Sequence, residues 1–218
     1  MGGGAVESAL REGGREPGLK LIETVLWDGR AAPRWALHLD RLQRSAEMLG
    51  WPCPDVAPDG PHHPARLRLT LDGEGRAEWT VAPLPAAKAE WRVGLAKERL
   101  RSDDPWLRIK STRRAAYDRA RGALPEGLDE VIFLNERDEV CDGSITTVFF
   151  DRGQGMRTPP LASGLLPGVL RAELGCPKEV LRAEDLSGAK LWVGNALRGL
   201  IPAVFIRGYL RQYERAWA

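Results

Sequence analysis

Apolar residues in this chain fall into short alternating stretches broken by Gly and Pro, and the helical patterns between them keep no regular beat. Strand-type alternation covers residues 19–27, 66–71, 78–84, 91–96, 130–135, 145–151, 191–194 and 203–207. Helical spacing covers 36–49, through Trp35, Leu39, Leu42, Ala46 and Leu49, and is closed by Gly50 and Pro52. Shorter helices are expected over 112–123, 168–174 and 209–217. Asp28-Gly29 marks a turn, and Asp72-Gly73-Glu74-Gly75 marks a hairpin. A parallel sheet would need strands and helices in strict alternation. Here strands dominate, so the expected class is α+β. The expected organisation is a flexible lead-in over 1–18, a small N-terminal subdomain over 19–87 and a larger one over 88–218.

The 32 basic and 30 acidic residues leave a net charge of only +2, which supplies no electrostatic case for a nucleic acid or a membrane surface. No apolar run approaches the ~20 residues of a spanning helix, and residues 1–18 are Gly-rich and charged rather than signal-like. Cys53, Cys141 and Cys176 are odd in number and widely spaced, which argues against a disulfide framework or a structural zinc site. His62-His63 lies in a Pro-rich loop without a third ligand nearby, so no metal site is expected. A cytoplasmic protein is the expectation.

Residues 158–171 read Thr-Pro-Pro-Leu-Ala-Ser-Gly-Leu-Leu-Pro-Gly-Val-Leu-Arg. Pro167 suits the first helical position, because its missing N–H has no partner there. The amides of Gly168, Val169 and Leu170 then point out of a helix N-terminus, a place suited to a phosphate. Arg171 is expected to face away and support the helix. Arg41 lies beside Leu39 and Leu42, and its guanidinium matches bidentate phosphate contact; the alternative is a snorkelling surface arginine. Lys110 follows Trp106-Leu107-Arg108-Ile109. Partial desolvation there would lower its pKa and leave an amine able to form a Schiff base; the alternative is a solvated strand-end lysine. Asp142, in Val140-Cys141-Asp142-Gly143-Ser144, is either a turn aspartate or the partner of a protonated ring nitrogen. A lysine, a carboxylate and a phosphate clamp are together what pyridoxal 5'-phosphate (PLP) requires.

The order of these motifs is equally informative. Ile22-Glu23-Thr24, His38-Leu39-Asp40-Arg41-Leu42, Lys110 to Tyr117, Phe133-Leu134-Asn135-Glu136, Asp142 to Phe149, Thr158 to Arg171 and Asn195-Ala196-Leu197-Arg198-Gly199 follow in turn. This series resembles the class IV aminotransferase family: branched-chain and D-amino-acid aminotransferases and aminodeoxychorismate lyase. The resemblance implies the fold-type IV architecture, with a small α/β part, a larger pseudo-barrel part, a cofactor cleft between them and a homodimer. It implies Lys110 as the catalytic, cofactor-bearing lysine. Arg41, Asp142, the Val169 and Leu170 amides and Asn195 are implied as further cofactor contacts, and Thr24, Tyr117 and Arg198 as residues facing a small-molecule substrate. Asp142 stands where the family usually has glutamate, and Thr147 where asparagine is usual. Asn195 to Gly199 is closer to the lyase branch, which releases pyruvate from 4-amino-4-deoxychorismate to give 4-aminobenzoate for folate synthesis. An aminotransferase and a non-catalytic relative are the alternative expectations.

Overall fold

The computed structural model describes residues 3–207; the helix expected over 209–217 lies outside the described residues. The chain divides into two compact units. Residues up to Ala86 join Pro105–Arg114 in the first, and Ala87–Asp104 joins the chain from Ala115 onward in the second. Among the described residues no helix is long and apolar enough to cross a membrane.

The first unit is built on α1 (Gly3–Gly13), β1 (Lys20–Trp27), α2 (Trp35–Leu49), β2 (Ala65–Asp72) and β3 (Ala77–Ala82). The three strands form an antiparallel sheet in the order β1-β2-β3. Strand alternation puts Leu21, Leu69 and Leu71 on one face, where they pack with Leu42, Ala46 and Leu49 of α2. Gly50 ends α2 in the left-handed conformation at φ 70°, which glycine adopts without steric cost. The expected flexible lead-in is instead the helix α1. Leu10 is its anchor, 1% exposed in the same core as Leu42 and Leu71. One buried leucine per few turns is too faint a periodicity to stand out in a Gly-rich segment.

The second unit holds β4 (Trp91–Leu100), α3 (Ala115–Gly122), β5 (Glu130–Asn135), β6 (Val140–Gly143), β7 (Thr147–Asp151), α4 (Val169–Leu174), β8 (Lys190–Asn195) and β9 (Gly199–Phe205). Its sheet runs in the order β6-β5-β4-β9-β8-β7. Strand β4 pairs parallel with β5 and β9, and the other pairings are antiparallel. Six strands laid flat would separate β6 from β7 by about 24 Å, at about 4.8 Å per step. The four peptide steps from Gly143 to Thr147 reach at most about 14 Å. The sheet therefore curls into a nearly closed pseudo-barrel around Val93, Ile132, Val148, Phe150 and Val193.

Three sequence expectations shift here. The expected strand over 145–151 is β7, which begins only at Thr147, and β6 before it is a strand that the sequence pattern does not announce. Cys141-Asp142-Gly143 carries little strand propensity, and β6 exists because β5 pairs with it. Strand β9 begins at Gly199, well before the expected residue 203. Pro202 lies inside it, where β9 has β8 as neighbour but has not yet met β4, whose pairing starts at Ala203. The segment carrying Lys110 groups with the first unit, not with the larger subdomain expected to hold it.

Candidate active site

In the first unit, residues 110–112 run along the free edge of β1. The Ile22 N–H donates to the Lys110 carbonyl at 2.8 Å, and the Thr112 N–H to the Lys20 carbonyl at 2.8 Å. Leu21 and Ser111 are thereby paired across an antiparallel bridge. Alternation then puts half-buried Lys110 level with Ile22, on the face of β1 that also carries Thr24.

The opposite face carries Glu23, only 1% exposed. Its carboxylate accepts from Arg41 at two atoms, Nε to Oε1 at 2.9 Å and Nη2 to Oε2 at 2.5 Å. His38 Nδ1 donates to Oε2 at 2.6 Å. Burial pushes the Glu23 carboxyl upward, but the Arg41 charge and the hydrogen bonds from His38 and Arg41 outweigh it, holding the pKa at about 2. Arg41 is thus an inward-facing side chain of α2 and not a snorkelling one. The sequence motifs contain Glu23 and His38 without assigning either a role. Two signals mark them: an acid inside an apolar strand, and a histidine one helical turn before Arg41.

In the second unit, Asp142 is buried in β6, and its Oδ2 accepts the Leu166 N–H at 3.3 Å. What holds β6 and β7 in place is Glu130, at the start of β5 and 0% exposed. Its two oxygens accept from the Ser144 N–H at 3.0 Å, the Ser144 hydroxyl at 2.5 Å, the Ile145 N–H at 3.1 Å and the Thr146 hydroxyl at 2.9 Å. Residues 144–146 are therefore moulded around one buried carboxylate, whose burial no local sequence pattern announces.

Pro167 does not start the following helix. Gly168 is the N-cap, and its N–H is taken by the Leu166 carbonyl at 2.8 Å. Val169 and Leu170 are the first two helical residues, whose amides have no partner within a helix. A Cβ at Gly168 would lie 2.8 Å from the Thr147 hydroxyl, and one at Gly194 would lie 2.5 Å from the Gly199 carbonyl and 2.7 Å from the Leu170 methyl. Both glycines let α4 sit close against β7 and β8. Arg171 is buried, and one of its Nη atoms donates to the Pro159 carbonyl at 3.1 Å, tying α4 to the preceding loop. Burial lowers its pKa, and the charge of Asp142 opposes that shift.

Asn195 ends β8. Its side-chain oxygen accepts from the Leu197 and Arg198 amides at 3.1 and 2.9 Å, and its Nδ2 donates to the Ile145 carbonyl at 3.0 Å. The carboxamide thus joins the 196–198 turn to the loop held by Glu130. The Arg198 guanidinium lies over the Trp91 ring at 5.2 Å. Tyr117 meets Phe133 edge-on at 5.0 Å. Lys110 and Thr24 thus share one face of β1 and Arg41 is held by Glu23 on the other, while Asp142, Val169, Leu170 and Asn195 lie on β6, α4 and β8. A buried guanidinium, a lysine, a buried carboxylate and the first amides of a helix are the kinds of group that PLP chemistry needs.

Comparison with known proteins agrees with this chemistry. The class IV amino-transferase family model matches residues 20–206. A Schizosaccharomyces pombe protein provisionally named as an aminodeoxychorismate lyase is 29% identical over 207 residues, 85% of this chain and 89% of its own length. The crystal structure of a Mesorhizobium loti protein, provisionally named as an amino-acid aminotransferase, is 41% identical with a TM-score of 0.81, covering 86% of this chain and all of that one. A Legionella pneumophila structure provisionally named as a 4-amino-4-deoxychorismate lyase shares the fold at 19% identity, with a TM-score of 0.76 over 87% of this chain and 83% of its own. The chain belongs to the class IV aminotransferase family of PLP-dependent, fold-type IV enzymes.

Proposed function

We propose that this enzyme releases pyruvate from 4-amino-4-deoxychorismate to give 4-aminobenzoate, working as a cytoplasmic homodimer in folate synthesis. Bound PLP supplies an electron sink for charge developing beside the substrate nitrogen. Lys110 is the residue that would hold it, and the Lys110 amine would take the proton from the carbon beside the substrate nitrogen. Asp142 keeps a ring nitrogen protonated; one methylene shorter than glutamate, it still offers a buried carboxylate. Arg41, the Val169 and Leu170 amides and Asn195 hold the phosphate end, the last by shaping the turn at 196–198. Thr24 and Tyr117 face the substrate.

The observation that carries the lyase reading is Arg198. Its backbone is fixed by Asn195 and its guanidinium rests on Trp91. It is a preset cation for one carboxylate of a substrate that carries two. The S. pombe relative supports the same choice. The 41% identity to the M. loti protein favours a second reading, amino-acid transamination. One pair of measurements separates them. Pyruvate released from aminodeoxychorismate, with the cofactor left in its original form, supports the lyase. Conversion of the cofactor to pyridoxamine phosphate by amino acids, without pyruvate release from aminodeoxychorismate, supports the aminotransferase. Borohydride should fix the cofactor to Lys110 in either case, and Lys110→Ala should abolish both the adduct and turnover.

A further inference from the structure

We infer that Glu23 is a positioning residue for the cofactor phosphate, acting through Arg41, with His38 behind it. The inference rests on Arg41 being a phosphate ligand.

The chain of contacts is explicit. A carboxylate only accepts, so His38 carries its proton at Nδ1 and donates it to Glu23 Oε2. Glu23 in turn grips the side edge of Arg41, formed by Nε and Nη2. That grip sets the plane of the guanidinium and the direction of its outer edge. His38 is stacked on Trp35, with centroids 6.5 Å apart and planes 17° apart, so its ring is held as well. His38 Nε2 is buried and has no hydrogen-bond partner. The histidine's one polar service is therefore the bond to Glu23.

Stability alone does not account for this arrangement. A buried ion pair costs desolvation that an apolar substitute would avoid, and such replacements are often neutral or stabilising. A clamp has a different use. An arginine free to rotate must be ordered when it meets its anion, whereas a pre-oriented one loses less freedom per hydrogen bond.

Charge and geometry make opposite forecasts. Glu23→Gln makes the clamp more positive by one charge, so attraction alone would tighten phosphate binding. Loss of orientation weakens it. The test is to titrate apoenzyme with PLP and with pyridoxal, which lacks the phosphate. Glu23→Gln should weaken PLP about tenfold or more while leaving pyridoxal unchanged, which collapses the preference for the phosphorylated form. Glu23→Asp keeps the charge but not the reach and should fall between. Unchanged or tighter PLP binding, or equal losses for both ligands, overturns the inference. If Glu23→Gln fails to fold, Glu23→Asp and His38→Gln carry the same ratio, and an unaltered ratio in both overturns it. A wild-type apoenzyme without preference for PLP over pyridoxal sinks the Arg41 reading itself. A wild-type preference that survives in the variants sinks the Glu23 inference alone.

Discussion

Glu23 and Glu130 are both buried carboxylates, and the two units satisfy them in opposite ways. Glu23 is matched by two side chains, a guanidinium and an imidazole on α2. Glu130 is matched chiefly by amides and hydroxyls of residues 144–146, with Arg121 at 3.8 Å on its flank. The first carboxylate orients a cation. The second folds a backbone segment, and through Asn195 and Ile145 it reaches the turn that carries Arg198. A buried acid in this protein is a device for holding something still, and its partners reveal what is being held.

That contrast can be broken most forcefully at Glu130. Glu130→Ala should cost about 3 kcal/mol or more, because several buried donors lose their acceptor together. Chemical denaturation measures the loss, and a value below about 1 kcal/mol would mean that the loop holds its own shape.

Glu23 should show itself in acid. Its folded pKa of about 2 lies below the ordinary 4.5, so its contribution is complete above pH 4.5 and is lost as pH falls toward 2. The expected size is about 3 kcal/mol. Denaturant midpoints followed from pH 5 to pH 2 should fall less steeply in Glu23→Gln than in the wild type; parallel curves would contradict the ion pairing.

Close approach of α4 sets the next effect. Gly194→Ala should cost about 1–3 kcal/mol, since the new methyl meets a backbone oxygen that cannot move aside. Gly168→Ala meets only the Thr147 hydroxyl. Thr147→Ala should therefore rescue Gly168→Ala but not Gly194→Ala, and thermal melts of the two double variants test the difference.

Smallest is Asn195→Ala, expected to cost about 1 kcal/mol through the lost turn cap, with a larger effect on the substrate KM than on the melting temperature. An unchanged KM would separate Arg198 from the substrate.

Much of this was readable in the chain. Strands 20–27 and 130–135, helix 35–49 and the hairpin at 72–75 follow from period, turn residues and a capping glycine, which act within a few residues of one another. The order of motifs identified the family for the same reason, since each motif is local. What escaped notice depends on distant partners. Strand β6 is made by its pairing with β5, α1 by one leucine's place in a core, and the start of β9 by a neighbour that Pro202 does not need to bond. Glu23 and Glu130 look like ordinary acids in sequence, because spacing does not reveal burial.

The sequence by itself determined the α+β class, the family and the residue types that PLP chemistry requires. Only the tertiary structure decided that Arg41 is gripped by Glu23, that Lys110 lies along the edge of β1, and that one carboxylate moulds the closure of the pseudo-barrel. Local pattern reports what a segment can become; a buried charge must find its partners across the fold, and those partners exist only once the fold has formed.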